Sequence, residues 1–121
     1  MFAVWHITPP FQIEHVTWRQ AVAGMDIVNQ AAAITSGVQD IVTRPYIHVT
    51  NNAVMNSLLL RSIFDHHIEH FLFMSCTVFY PSSVEALRES GLDPSEEFAG
   101  AYFGIGWTRL YTEKMCEFSH V

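Results

Sequence analysis

The chain has 121 residues, enough for one domain, and half of them are hydrophobic, which supports a packed core and excludes a disordered chain. Six Lys and Arg against twelve Asp and Glu give a formal net charge of -6, which repels phosphate backbones and argues against nucleic acid or an anionic membrane as partner. The two cysteines, Cys76 and Cys116, cannot build a disulfide framework, and their apolar neighbours suit the reduced thiols of a cytoplasmic protein.

Residues 1–16 have no basic residue ahead of their apolar ones and are interrupted by Pro9 and Pro10. The segment is neither a convincing signal peptide nor a membrane span, and it reads as an irregular leader to a domain over 17–121. From Val16 to Gly24 the residues predict a short connective helix, with Thr17 at its cap, Trp18 and Val22 four apart on one face, and Gly24 at its end. Met25 to Ala31 follows as a strand centred on Ile27 and Val28. At its carboxyl end Ala31, Ala32 and Ala33 either let a ligand approach the backbone or pack against a helix. Thr35 to Tyr46 carries Gly37 and Pro45 without periodicity and reads as a loop.

Asn51 or Asn52 then opens the strongest helix, running to about His66, with Val54, Leu58 and Leu59 on one face and Leu60 and Ile63 widening the apolar arc. An arc that wide calls for two partners, the sheet and a second surface such as another subunit. His66 and His70 would share a helix face as metal ligands if that helix continued. The helix must instead stop so that a strand can begin, imidazoles near its carboxyl end complement its dipole, and no third ligand presents itself, so no metal is expected. Phe71 to Met74 is too short a run for a helix, and its bulk suits a strand buried on both faces. Ser75, Cys76 and Thr77 follow at the carboxyl end, where parallel α/β sheets hold their ligands. Residues 81–100 read as an exposed excursion with one helical turn at Val84 to Arg88. Ala101 to Phe118 is helical, with Phe103, Trp107, Leu110, Met115 and Phe118 near helical spacing; Gly104 and Gly106 either loosen the first turn or mark close approach to a ligand or another helix.

Strand, loop, helix, strand, excursion and helix in this order describe a parallel α/β unit. Asp26 to Ala33, Asn52 to Leu60, His70 to Pro81 and Glu113 to Glu117 resemble, in order and spacing, segments of the extended short-chain dehydrogenase/reductase family. These are the NAD-dependent sugar-nucleotide epimerases, dehydratases and reductases, and the likeness is greatest to the branch containing GDP-fucose synthase. It covers about Thr17 to Phe118. The resemblance implies a partial Rossmann-type parallel sheet with flanking helices, NAD or NADP as cofactor, a nucleotide sugar as substrate, and a homodimer formed through helices 52–66 and 102–118.

The resemblance also implies a site. It sets Ala31, Ala32 and Ala33 beside the nicotinamide, Asn52 among the catalytic residues, and the catalytic hydroxyl among Ser75, Cys76 and Thr77, of which Thr77 is preferred because a thiol hydrogen-bonds weakly. The family's base is a phenolate kept ionised by a neighbouring lysine. Counting back from Glu113-Lys-Met-Cys-Glu117 puts that lysine at Arg109 and the tyrosine at Ile105, leaving Tyr102, one turn earlier, as the phenol and Arg109 as the cation that also meets the ribose. The family's first βαβ unit, with its glycine-rich turn for the cofactor pyrophosphate, and its carboxy-terminal substrate domain have no counterpart in these 121 residues. The resemblance therefore implies the central piece of a longer enzyme, binding NAD(P) weakly and inactive alone, or a non-catalytic dimerising module derived from one.

Overall fold

A computed structural model describes residues 15–34, 37–78, 80, 83–91 and 100–119; the leader over 1–14 lies outside these. Two short strands, β1 (Ile27–Gln30) and β2 (His70–Phe73), run parallel, with Ile27 opposite His70 and Gln30 opposite Phe73. The ladder extends one bond past each end, His70 N–H to Asp26 O at 3.2 Å and Met74 N–H to Gln30 O at 3.1 Å. Parallel strands need a long crossover rather than a tight turn, and α2 (Val38–Thr43) and α3 (Pro45–Asp65) supply it. The helix α1 (His15–Val22) precedes the sheet and α4 (Phe103–Ser119) follows it, with single 3-10 turns at Glu89–Gly91 and Gly100–Tyr102. The architecture is α/β, a partial Rossmann-type sheet with flanking helices.

The helix α1 starts two residues ahead of Thr17, which therefore lies inside it and not at its cap. Trp18 and Val22 do share one face, and they are more than connective: with Met55, Leu59 and Ile63 of α3 they form the buried core. Val28, Phe71 and Ala32 pack on that core from the sheet side. Each fully buried large side chain of that core contributes about 2 kcal/mol of apolar burial. Gly24 follows α1 at φ 74°, a conformation that a side chain disfavours.

The expected loop over 35–46 is in part α2, and α3 begins at Pro45, two turns before Asn51 and Asn52. Proline at the first helical position starts a helix, because its φ is already helical and its missing N–H has no partner to lose. The apolar arc is wide, but Val54 lies outside it at 47 % exposure, and Met55, Leu59, Leu60 and Ile63 fill it. One side of the arc meets α1 and the other meets α4 of the same chain.

The helix α3 ends at Asp65, as the following strand demands. His67 N–H donates to Phe64 O at 3.2 Å and Ile68 N–H to Ile63 O at 3.2 Å, with His67 at φ 52°. This is a Schellman cap whose left-handed position holds a histidine, and Ile63 and Ile68 meet in the core beneath it. His66 and His70 consequently share no helix, and His66 Nδ1 lies 2.9 Å from Ser62 O. Among the described residues no group of three His, Cys, Asp or Glu side chains is placed to hold a metal ion.

The strand β2 is not buried on both faces. Its residues alternate, and Leu72 is 48 % exposed, because α1 and α3 cover one side of the pair only. In the excursion the helical turn lies at Glu89–Gly91 and not at Val84 to Arg88. On α4 the buried residues are Gly106, Thr108, Leu110 and Thr112, while Phe103, Trp107 and Phe118 are exposed. Small residues face α3 because the two helices approach closely: a Cβ at Gly104 would sit 2.6 Å from Val49 Cγ2.

Candidate functional site

Beyond the carboxyl ends of β1 and β2 lies a cleft of about 170 Å³. Ile34 and Ile41 come to it from the crossover, His48 and Asn52 from the first two turns of α3, and Cys76 and Val78 from the segment after β2. Tyr102, Ile105, Thr108 and Arg109 close it from the start of α4. This is the crevice position that parallel α/β sheets offer to ligands.

Side-chain amides hold its walls. Asn52 Oδ1 accepts from Ile34 N–H at 2.9 Å, and Asn52 Nδ2 donates to Ile34 O at 3.0 Å and to His48 O at 2.7 Å. One amide thus pairs with both polar groups of Ile34 as a neighbouring strand would, and carries the chain into the cleft after β1 has ended. His48 Nδ1 lies 3.1 Å from the same carbonyl, so that nitrogen carries the proton and donates it. Deeper, Gln30 Nε2 donates to Asn56 Oδ1 at 2.9 Å, while Gln30 Oε1 accepts from Ala32 N–H at 3.2 Å. Both amides are buried, and among the described residues Asn56 Nδ2 has no hydrogen-bond partner.

Arg109 is fixed from two directions: Nη1 donates to Met74 O at 3.0 Å, and its guanidinium carbon stands 5.3 Å from the centre of the Phe73 ring. Thr108 Oγ1 donates to Gly104 O at 2.7 Å. The other thiol, Cys116, lies away from this wall on α4, where burial, followed by Glu113 and Glu117, raises its pKa and keeps it protonated.

Four of the residues singled out from the sequence, Asn52, Cys76, Tyr102 and Arg109, line this one cleft. Ser75 and Thr77, either side of Cys76, are exposed and do not line it; the residue facing the cleft is the thiol. Ala31, Ala32 and Ala33 also stay off its wall: Ala31 is exposed and Ala32 packs on the core. Sequence reasoning missed His48, Ile34 and Thr108. A signal for His48 existed, since a helix begun at Pro45 puts His48 and Asn52 at i and i+4 on one face.

Residues 13–117 match the model of the NAD dependent epimerase/dehydratase family. The chain belongs to that family. No curated protein matches it. Among solved structures, "DdhaC" superposes with a TM-score of 0.77 at 15% identity, over 87% of this chain and 31% of that one. At that identity the likeness shows the fold, and the chain spans about a third of the length of the structure it matches.

The epimerase/dehydratase family is NAD dependent, and the cleft's donors suit one end of that cofactor. A phenol and a guanidinium are groups that meet ribose hydroxyls and a carboxamide. Ile105 contributes only an apolar wall.

Proposed function

We propose that this chain is the central part of an NAD(P)-dependent nucleotide-sugar epimerase, dehydratase or reductase of the GDP-fucose synthase-like branch, acting in the cytoplasm, and that its cleft takes the nicotinamide and the sugar. The observation that carries this reading is the convergence of Cys76, Tyr102 and Arg109 on one cleft at the carboxyl ends of two parallel strands. NAD(P), when bound, takes or supplies a hydride. The chain's own residues handle the proton and the position. Tyr102 moves the sugar hydroxyl's proton, Arg109 holds positive charge beside that phenol and donates to the ribose, and the Cys76 thiol stands as a weak donor where the family has a hydroxyl.

The pyrophosphate of a dinucleotide gains much of its binding from a glycine-rich turn, and these 121 residues contain none. Titration calorimetry of the purified chain with NAD and with NADP is expected to give dissociation constants of about a millimolar or weaker, where micromolar binding corresponds to about 8 kcal/mol. Turnover of nucleotide sugars by the chain alone is expected to be undetectable. Tight stoichiometric binding would overturn the assignment of the cleft to one end of the cofactor.

A second reading has its own observation. On α4 the exposed aromatics Phe103, Trp107 and Tyr111 stand four residues apart on one stripe, continued by Phe118, and Val54 and Phe64 are exposed on α3. Such a face suits a non-catalytic dimerising module derived from the same family. Cofactor titration separates the two readings, since only the first requires any response to NAD(P).

A further inference from the structure

Arg109 stands apart from two other cations of the chain. Arg44 pairs with Asp40 and Lys114 with Glu117, whereas among the described residues no carboxylate meets Arg109. Its fixed contacts are the Met74 carbonyl and the Phe73 ring, which orient the guanidinium and leave its charge unneutralised. Of five guanidinium N–H donors one is committed to Met74, so four remain. None of the described residues lining the cleft is acidic, although the whole chain carries a net charge of -6. The cleft also receives the amino-terminal ends of two long helices, His48 in the first turn of α3 and Tyr102 just ahead of α4, and each end adds partial positive charge.

We propose that the cleft binds a small carboxylate, held by the Arg109 guanidinium. This rests on the reading of the cleft as the sugar-and-nicotinamide end of the family site and specifies the substrate that site selects. The Asn52 amide is committed to Ile34 and His48 and the Thr108 hydroxyl proton to Gly104, so the charged group left to select among ligands is the Arg109 guanidinium. A planar carboxylate takes two parallel N–H bonds from a guanidinium, and the bound body of the ligand rests on the apolar side chains of Ile34, Val78 and Ile105. That apolar lining disfavours phosphate, whose charge is spread over all its oxygens and would be stripped of water on the apolar side.

The test uses ligands that share a ring and differ in charge. The 121-residue chain is titrated with nicotinate, nicotinamide and inorganic phosphate while its amide nitrogen–proton spectrum is recorded, for the wild type and for Arg109→Gln and Arg109→Lys. Nicotinate is expected to shift Ile34, Cys76 and Tyr102 saturably, at least tenfold more tightly than nicotinamide or phosphate. Arg109→Gln is expected to lose at least tenfold of that affinity, with Arg109→Lys in between, because lysine keeps the charge without the fork. Nicotinamide binding as tightly as nicotinate would overturn the carboxylate inference while leaving the cofactor reading standing. Equal or tighter binding of phosphate, unchanged nicotinate binding in Arg109→Gln, or no response to nicotinate at all would also overturn it. The wild-type comparison of the three ligands decides the matter even if a variant fails to fold.

Discussion

A histidine at φ 52° carries a backbone penalty that glycine avoids, and His67 accepts it at the position closing α3. Its side chain is exposed, so nothing in the core depends on it. His67→Gly is therefore expected to stabilise the chain by about 0.5 to 1 kcal/mol, a rise of several degrees in melting temperature by calorimetry. A lower melting temperature would mean that the imidazole makes contacts the backbone argument omits. Asn52 is the opposite case. Its buried amide satisfies three backbone groups, and Asn52→Ala leaves Ile34 N–H and O without that partner. A loss of about 2 to 3 kcal/mol is expected in urea unfolding, together with faster exchange of the Ile34 amide proton. Protection of that proton at wild-type level would show that something other than Asn52 holds the cleft wall.

Between elements, α3 and α4 approach closely at Gly104. Helix propensity favours alanine there by about 1 kcal/mol. The added methyl would nevertheless lie 2.6 Å from Val49 Cγ2, and a β-branched side chain in a helix has little rotameric freedom to withdraw. Gly104→Ala is expected to cost about 1 to 3 kcal/mol net in denaturant unfolding, and Gly104→Ala with Val49→Ala to recover part of it. No loss in the single variant would contradict close contact. The same pair of helices shows where the sequence was readable and where it was not. The strands β1 and β2 and the crossover between them were legible because short apolar runs bounded by polar breaks have few other structures available. The length of α4 was legible too, but its buried face was not: with α3 so near, the interface selects Gly104, Thr108 and Thr112 by size, and a count of apolar residues assigns that face to Phe103 and Trp107. The start of α3 was missed because Pro45 reads as a breaker until its place at the first turn is known. Family spacing pointed to the cleft positions Cys76, Ile105 and Arg109 and reached Tyr102 only as the tyrosine one turn before Ile105, whereas His48 depended on that misplaced helix start.

For the whole molecule, the balance to settle is between its acidic charge and the apolar surface exposed among the described residues. Phe103, Trp107 and Tyr111 form one exposed stripe on α4, Phe64 stands on α3, and Leu72 and Met74 lie on the uncovered side of the sheet. Scattered singly such residues mean little, but three aromatics in register on a helix make a contiguous patch of the kind that marks an interface. A helix face repeats on every copy, so the simplest closure is a two-fold pairing of α4 with α4, which buries both stripes at once. The net charge of -6 opposes pairing only weakly at physiological salt, where charges beyond about 8 Å are screened. Sedimentation at micromolar concentration is therefore expected to give a dimer or a larger species, with Trp107→Glu shifting it to monomer. Leu72→Glu, on the sheet, is expected to leave a dimer intact and to remove only association beyond it. A wild-type chain that sediments as a monomer would contradict the pairing, and a dimer that dissociates with Leu72→Glu but not with Trp107→Glu would move the interface from α4 to the sheet.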